Sequence, residues 1–325
     1  MKGINIRIIG HSVDLPTLST RSFFHSSELF CLLEKTPGQY PYMLVAEDNA
    51  GHVAAHLMVT IRRSHRWLPP FIVFQARVYG EGVYDAHCNK EEIFARFLAA
   101  LMPLCRQKLC VSVEFSDISQ KMFGYSVLRE HRFFPVHWQE VHISLHSRPP
   151  EQRLAESVRK KIAKAQALGV TTREACNEKE LYAFYRLLKR FSPMRIRRHI
   201  PSASLFVELQ KSRNSCVFLT FLHEKIIGGC VCVYSGKDAY MWFLASKQTV
   251  YSAYHPAEVT VWKAIQHAHL HHYDHIHFLD VGLPFKRNPF REFILSFGGK
   301  PVAQYRWFHI VPSWANRLLS WWYTS

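Results

Sequence analysis

Two carboxylates stand where proton transfer could be done. Asp280 closes a short strand pattern that begins at His275, and Glu258 falls in the first turn of a periodic segment starting at Pro256. Either could take a proton from a donor within hydrogen-bond reach; at a strand end, Asp280 serves equally well as a turn or helix-cap residue. Positive charge is the second chemical signal. From Glu151 to Arg213 there are 15 Lys plus Arg against 6 Glu, an excess of nine. Val158, Ile162 and Ala165 share one helical face there, and Arg159, Lys160, Lys161 and Lys164 take the other. That pattern fits a solvated face or a contact with phosphate or RNA. Arg195-Ile196-Arg197-Arg198, three cations in four residues ahead of Pro201, fits no regular helix face and points to an anion site. The histidines at 267, 269, 271, 272, 275 and 277 lack an HExxH pattern or carboxylate partner. They read as surface or core residues, and no metal is expected.

The elements that must position these groups follow from periodicity. In the first half a short helix opens at Ser26-Ser27-Glu28 and stops near Pro37-Gly38. A hairpin then spans residues 40 to 61 with its turn at Asp48-Asn49-Ala50-Gly51, a helix runs from Glu91 to Arg106, and a strand from Leu109 to Phe115. The second half repeats the order: helix Glu178 to Phe191, strands Cys216 to His223, Ile226 to Tyr234 and Ala239 to Ala245, helix Pro256 to His271, and a strand from His275 to Asp280. Two α/β domains of similar architecture are expected, residues 1–148 and 149–325, divided at Pro149-Pro150.

With 325 residues, 48% of them hydrophobic, the chain is long enough for two cores. Its formal charge of +16 attracts anions such as RNA, phosphorylated precursors or acidic lipid surfaces; no DNA partner is expected. The eight cysteines show no C-x-x-C spacing and read as buried thiols in a reducing compartment. With no signal-peptide core and no apolar run near the ~20 residues that span a bilayer, a cytoplasmic location is expected. A tail carrying Trp314, Trp321 and Trp322 beside Arg317 fits either packing on the domain or a peripheral contact at the inner membrane face.

Taken together, Phe23 to Phe30, Leu44-Val45-Ala46-Glu47-Asp48, Arg159 to Ala165 with Leu168-Gly169-Val170, and Arg291-Glu292-Phe293-Ile294-Leu295-Ser296-Phe297-Gly298-Gly299 resemble the Fem peptidoglycan aminoacyltransferases and the FemAB-related GNAT proteins. The resemblance covers nearly the whole chain in order. It implies tandem GNAT-like domains, each a mixed, mostly antiparallel sheet flanked by helices. The implied activity moves an amino acid from aminoacyl-tRNA to an amine of a peptidoglycan or other cell-envelope precursor, with no metal, no permanently bound cofactor and no covalent enzyme intermediate. Lys35, Arg197 and Arg198 fall near precursor-binding positions of the family, and the stretch from Asp280 through Phe293 to Gly299 would shape the acyl-transfer pocket.

One departure affects the chemistry. Many relatives carry Lys after the Phe; here Ile294 stands there, an alkyl group that donates no hydrogen bond to an oxyanion, and the nearest cation is Arg291. Two other readings compete with an aminoacyltransferase. An acetyl-CoA-dependent GNAT N-acetyltransferase would bind CoA pyrophosphate on a glycine-containing loop opening a helix, but residues 246–256 hold no glycine. A catalytically degenerate protein that binds RNA or a precursor is the other.

Overall fold

The computed structural model describes residues 4–65, 72–118, 123–191, 199–279, 281–284 and 287–324. It divides into two compact units: Met1–Trp138 with Gln304–Ser325, and Gln139–Ala303. The closing strand and helix of the chain, expected with the second half, are thus grouped with the first, and the division falls ten residues before Pro149.

The first unit begins with β1 (Asn5–Ile9), α1 (Ser27–Glu34), β2 (Gln39–Glu47), β3 (Val53–His65), β4 (Ile72–Tyr79), the short β5 (Val83–Tyr84), α2 (Lys90–Gln107), β6 (Cys110–Ser116) and α3 (Tyr125–Glu130). Helix starts follow their side chains. The Ser26 hydroxyl accepts from the Leu29 amide at 3.1 Å, and Asn89 Oδ1 accepts from the Glu92 amide at 3.2 Å, so each satisfies one amide that a helix start leaves unpaired. Strands β1 to β4 form an antiparallel meander, with β5 on β3, and β6 then lies parallel to β4 from Phe74–Cys110 to Tyr79–Ser116. Parallel neighbours need a crossover, which α2 provides. Its apolar side, including Phe94, Phe97, Leu98 and Leu101, packs with Leu44, Val59, Val113 and Phe115 in one core.

β7 (Phe134–Ser144) begins in the first unit and from Gln139 belongs to the second, which continues with α4 (Glu156–Ala167), β8 (Val170–Glu174), α5 (Glu178–Phe191), α6 (Ala203–Lys211), β9 (Ser215–Leu222), β10 (Lys225–Ser235), β11 (Asp238–Ser246), α7 (Pro256–Leu270), β12 (His275–Phe278) and α8 (Pro289–Leu295); β13 (Lys300–Ile310) and α9 (Ser313–Thr324) close the chain. Its strand order is β7-β12-β11-β10-β9-β8, antiparallel except for β11 against β12. The near-continuous burial of β9, β10 and β11 matches their unbroken apolar sequence, as expected for strands covered on both faces.

The two units share a plan: an antiparallel meander, a crossover helix and a parallel strand, namely β2-β3-β4-α2-β6 and β9-β10-β11-α7-β12. Their last strands are exchanged. After α3 the chain enters β7, whose Val141–Ser144 pairs with β12 of the second unit, and after α8 it enters β13, whose Arg306–Ile310 pairs with β6 of the first. Trp307, 1% exposed, belongs to the first core, while Val141 and Ile143 belong to the second.

Candidate functional site

In the second unit the parallel ladder between β11 and β12 runs from Asp238–His275 to Met241–Phe278. β11 then continues to Ser246, still paired with β10. The point where β11 runs past the last rung of its ladder with β12 is a seam in the sheet.

The chain turns from the seam into α7, with Pro256 at its first position and His255 at φ 45°. Glu258, in the first turn, is 2% exposed. Its Oε1 accepts from Lys161 Nζ of α4 at 3.2 Å and lies 3.8 Å from His255 Nδ1. A carboxylate there is favoured by the helix dipole as well as by the lysine. Glu258 and Lys161, read separately from the sequence, are thus one ion pair.

The remaining expected residues are dispersed. Arg159 is exposed on α4 and donates to the Glu151 carbonyl at 3.0 Å. Arg291 donates from α8 to the Leu283 carbonyl at 2.8 Å, bracing the segment before that helix. Phe293 is half-buried, its ring 5.2 Å edge-on from Phe297. Ile294 is fully buried in the core of the second unit, which accounts for an alkyl group at that position. The closing Gly298 has φ +86°, and a Cβ there would lie 2.5 Å from Arg153 Cβ and 2.6 Å from the Arg153 carbonyl; this glycine is required by chain packing. Lys35 caps the C-terminus of α1 in the first unit and is exposed. Asp280, Arg197 and Arg198 lie outside the described residues.

The first unit supplies acidic groups that the sequence reading missed. Asp117 directly follows β6, and Glu81 follows β4 after Gly80, whose amide ties the two strand ends together by donating to the Ser116 carbonyl at 2.8 Å. Asp117 is 2% exposed and accepts from the Tyr125 hydroxyl at 3.2 Å. Gly82, at φ +101°, lets the chain turn where a Cβ would come 2.8 Å from the His56 carbonyl, and the Tyr84 hydroxyl donates to the Glu81 carbonyl at 2.7 Å. Burial first, with the Asp117 charge adding to it, raises the Glu81 carboxyl from 4.5 to about 7. Such a group exchanges a proton readily at neutral pH. The clue was available: an acid at a strand end, the argument that singled out Asp280, applies equally to Asp117.

Residues 152–287 match the acetyltransferase (GNAT) domain family. No curated protein matches the chain. Among solved structures, FemX is similar at 10% identity and TM-score 0.63, over 93% of this chain and 96% of that one. The C-terminal domain of a putative lysylphosphatidylglycerol synthetase from Agrobacterium fabrum is similar at 12% identity and TM-score 0.58, covering 91% and 90%. A tandem GNAT protein from the clavulanic acid biosynthesis pathway is similar at 10% identity and TM-score 0.56, covering 87% of each chain. Residues 152–287 are therefore a GNAT acyltransferase domain, and the chain as a whole has the fold of FemX-like GNAT proteins.

Proposed function

We propose that the protein transfers an aminoacyl group from aminoacyl-tRNA to an amine of a peptidoglycan or related cell-envelope precursor. GNAT domains use acyl-CoA as co-substrate, and the choice of donor is carried by one observation, the buried Glu258 in the first turn of α7. CoA pyrophosphate would need exposed amides at that helix start. Here a carboxylate with its own lysine occupies the turn, and no glycine opens it, so a second anion would meet like charge. An aminoacyl ester makes no such demand on α7. Trp242–Ser246, where β11 runs past its ladder with β12, is suited to holding the acyl group in the second unit, and Glu81 is suited to taking a proton from an ammonium group bound at the first. Arg291 and Asp280 remain candidates for the acyl pocket, and Lys35, Arg159, Arg197, Arg198 and Phe293 for substrate binding.

The test supplies separately labelled aminoacyl-tRNA and acetyl-CoA with a nucleotide-linked muropeptide acceptor. Label is expected to move from the tRNA. Movement from acetyl-CoA alone, or from neither donor, would refute the assignment and support the N-acetyltransferase or the binding-protein reading.

We further propose that α9 docks on a membrane surface where a lipid-linked precursor is presented. Trp314, Trp321 and Trp322 are 72%, 65% and 71% exposed, while Asn316 anchors the helix by donating to the Arg132 carbonyl at 3.0 Å. No described helix is long and apolar enough to cross a membrane. Replacing the three Trp with Ser should abolish flotation with anionic liposomes; equal flotation by both forms would remove the idea.

A further inference from the structure

Unassigned chemistry lies at the closed end of the β11/β12 seam, on one face of the second unit's sheet. His275 and His277 are two apart on β12 and so point to the same face. Asp238 is registered with His275 on β11, and His142 is registered with His277 on β7, so strands on both sides add a side chain to that face. Asp238 Oδ1 lies 3.1 Å from His275 Nδ1 and 3.7 Å from His277 Nε2, and one donor atom from each of the three residues falls within 4.8 Å of the others. Ligands ~2.0–2.1 Å from a tetrahedral ion stand about 3.3–3.4 Å apart, a value the two measured separations bracket.

Hydrogen bonding satisfies only part of this set, the His275 Nδ1–Asp238 Oδ1 pair at 3.1 Å. One carboxylate oxygen faces two ring nitrogens, and 3.7 Å is too long for a hydrogen bond. His277, 9% exposed, keeps Nε2 buried without a hydrogen-bond partner, and Tyr240 stacked on its ring at 4.8 Å holds it in place. His142 stands ring to ring 5.4 Å from His275 and 5.8 Å from His277, close enough to supply a further imidazole ligand.

We propose that Asp238, His275 and His277 bind a divalent transition-metal ion of the zinc type, with His142 or water completing the coordination. The site spans β7, β12 and β11 just before β11 and β12 part. A bound ion would clamp the closed end of the seam without entering it. A rival set, Glu174, Cys216 and His267, is less suited, because its carboxylate is 62% exposed and stands 3.8 Å from His267 Nε2.

Untagged full-length protein stripped with EDTA is to be titrated calorimetrically with zinc sulfate. One zinc per chain is expected, with a higher melting temperature. Asp238→Asn/His275→Gln/His277→Gln should weaken binding by more than the roughly 10–100-fold that loss of one supporting group costs at metal sites; Cys216→Ser/His267→Gln should leave it unchanged. Should the triple variant not fold, the cobalt(II) spectrum of the unaltered protein decides: ligand-field bands without thiolate charge transfer support the site. No saturable binding, binding retained by a folded triple variant, or a thiolate band would overturn it.

Discussion

Replacing Glu81 with Gln tests the protonation argument through stability and catalysis together. A carboxyl raised from 4.5 to about 7 corresponds to roughly 3 kcal/mol at about 1.4 kcal/mol per tenfold change in proton affinity, and solvent screening at this half-buried residue reduces that to about 2 kcal/mol. The sign follows from proton binding. Between pH 4.5 and about 7 the folded protein holds a proton that the unfolded chain has released, so stability falls as pH rises through that window and the penalty is complete above it. Glu81→Gln carries no such penalty. Unfolding free energies of the two proteins from urea titration should coincide near pH 4 and differ by about 2 kcal/mol at pH 8, the variant being the more stable. In the transfer assay kcat/KM of the unaltered enzyme should rise with pH through about 7, and the variant should lose that limb and roughly 10²–10⁴-fold in rate. A stability difference that does not change with pH, or a variant less stable at pH 8, would refute the burial argument. A retained pH limb would refute the role as proton acceptor.

Lys161→Met leaves Glu258 buried beside no lysine. A loss of about 1–2 kcal/mol is expected, below the ~3–5 of a fully buried pair because Lys161 is half-exposed, with most of it recovered in Lys161→Met/Glu258→Gln; urea denaturation measures both. Gly298→Ala forces a side chain into a left-handed backbone against Arg153 and should cost more than about 2 kcal/mol, seen as a lowered melting temperature. Trp307→Ala, at 1% exposure in the first core, should cost about 3–5 kcal/mol and leave the second unit's near-UV signal in place.

What the sequence made legible was local. The helices at Glu91, Glu178 and Pro256 and the strands at Cys216, Ile226 and Ala239 all occur where periodicity and turn residues put them, because caps and alternating burial act over a few residues. The amphipathic reading of α4 also holds, with Val158, Ile162 and Ala165 buried and the basic residues outward. The partners of β7 and β13 could not be read that way, since their pairing is decided by strands far off in the chain. Glu81 was missed for the same reason. Gly80-Glu81-Gly82 reads as an ordinary turn, and its burial depends on Asp117 and β6, more than thirty residues on. Gly298 lies in the stretch to which the resemblance assigns the acyl pocket, and its left-handed backbone answers to the close approach of Arg153.

The exchange of final strands bears on how the protein can be made. A ribosome finishes β6 long before it reaches β13, so Val113 and Phe115 wait for Trp307 while the whole second unit is synthesised. At roughly 5–20 residues per second that interval is on the order of ten to forty seconds. Throughout it an open sheet edge is exposed to chaperones and to other nascent chains. Severing the gene at Pro149-Pro150 would make that exposure permanent, so the halves should be recoverable only when produced together.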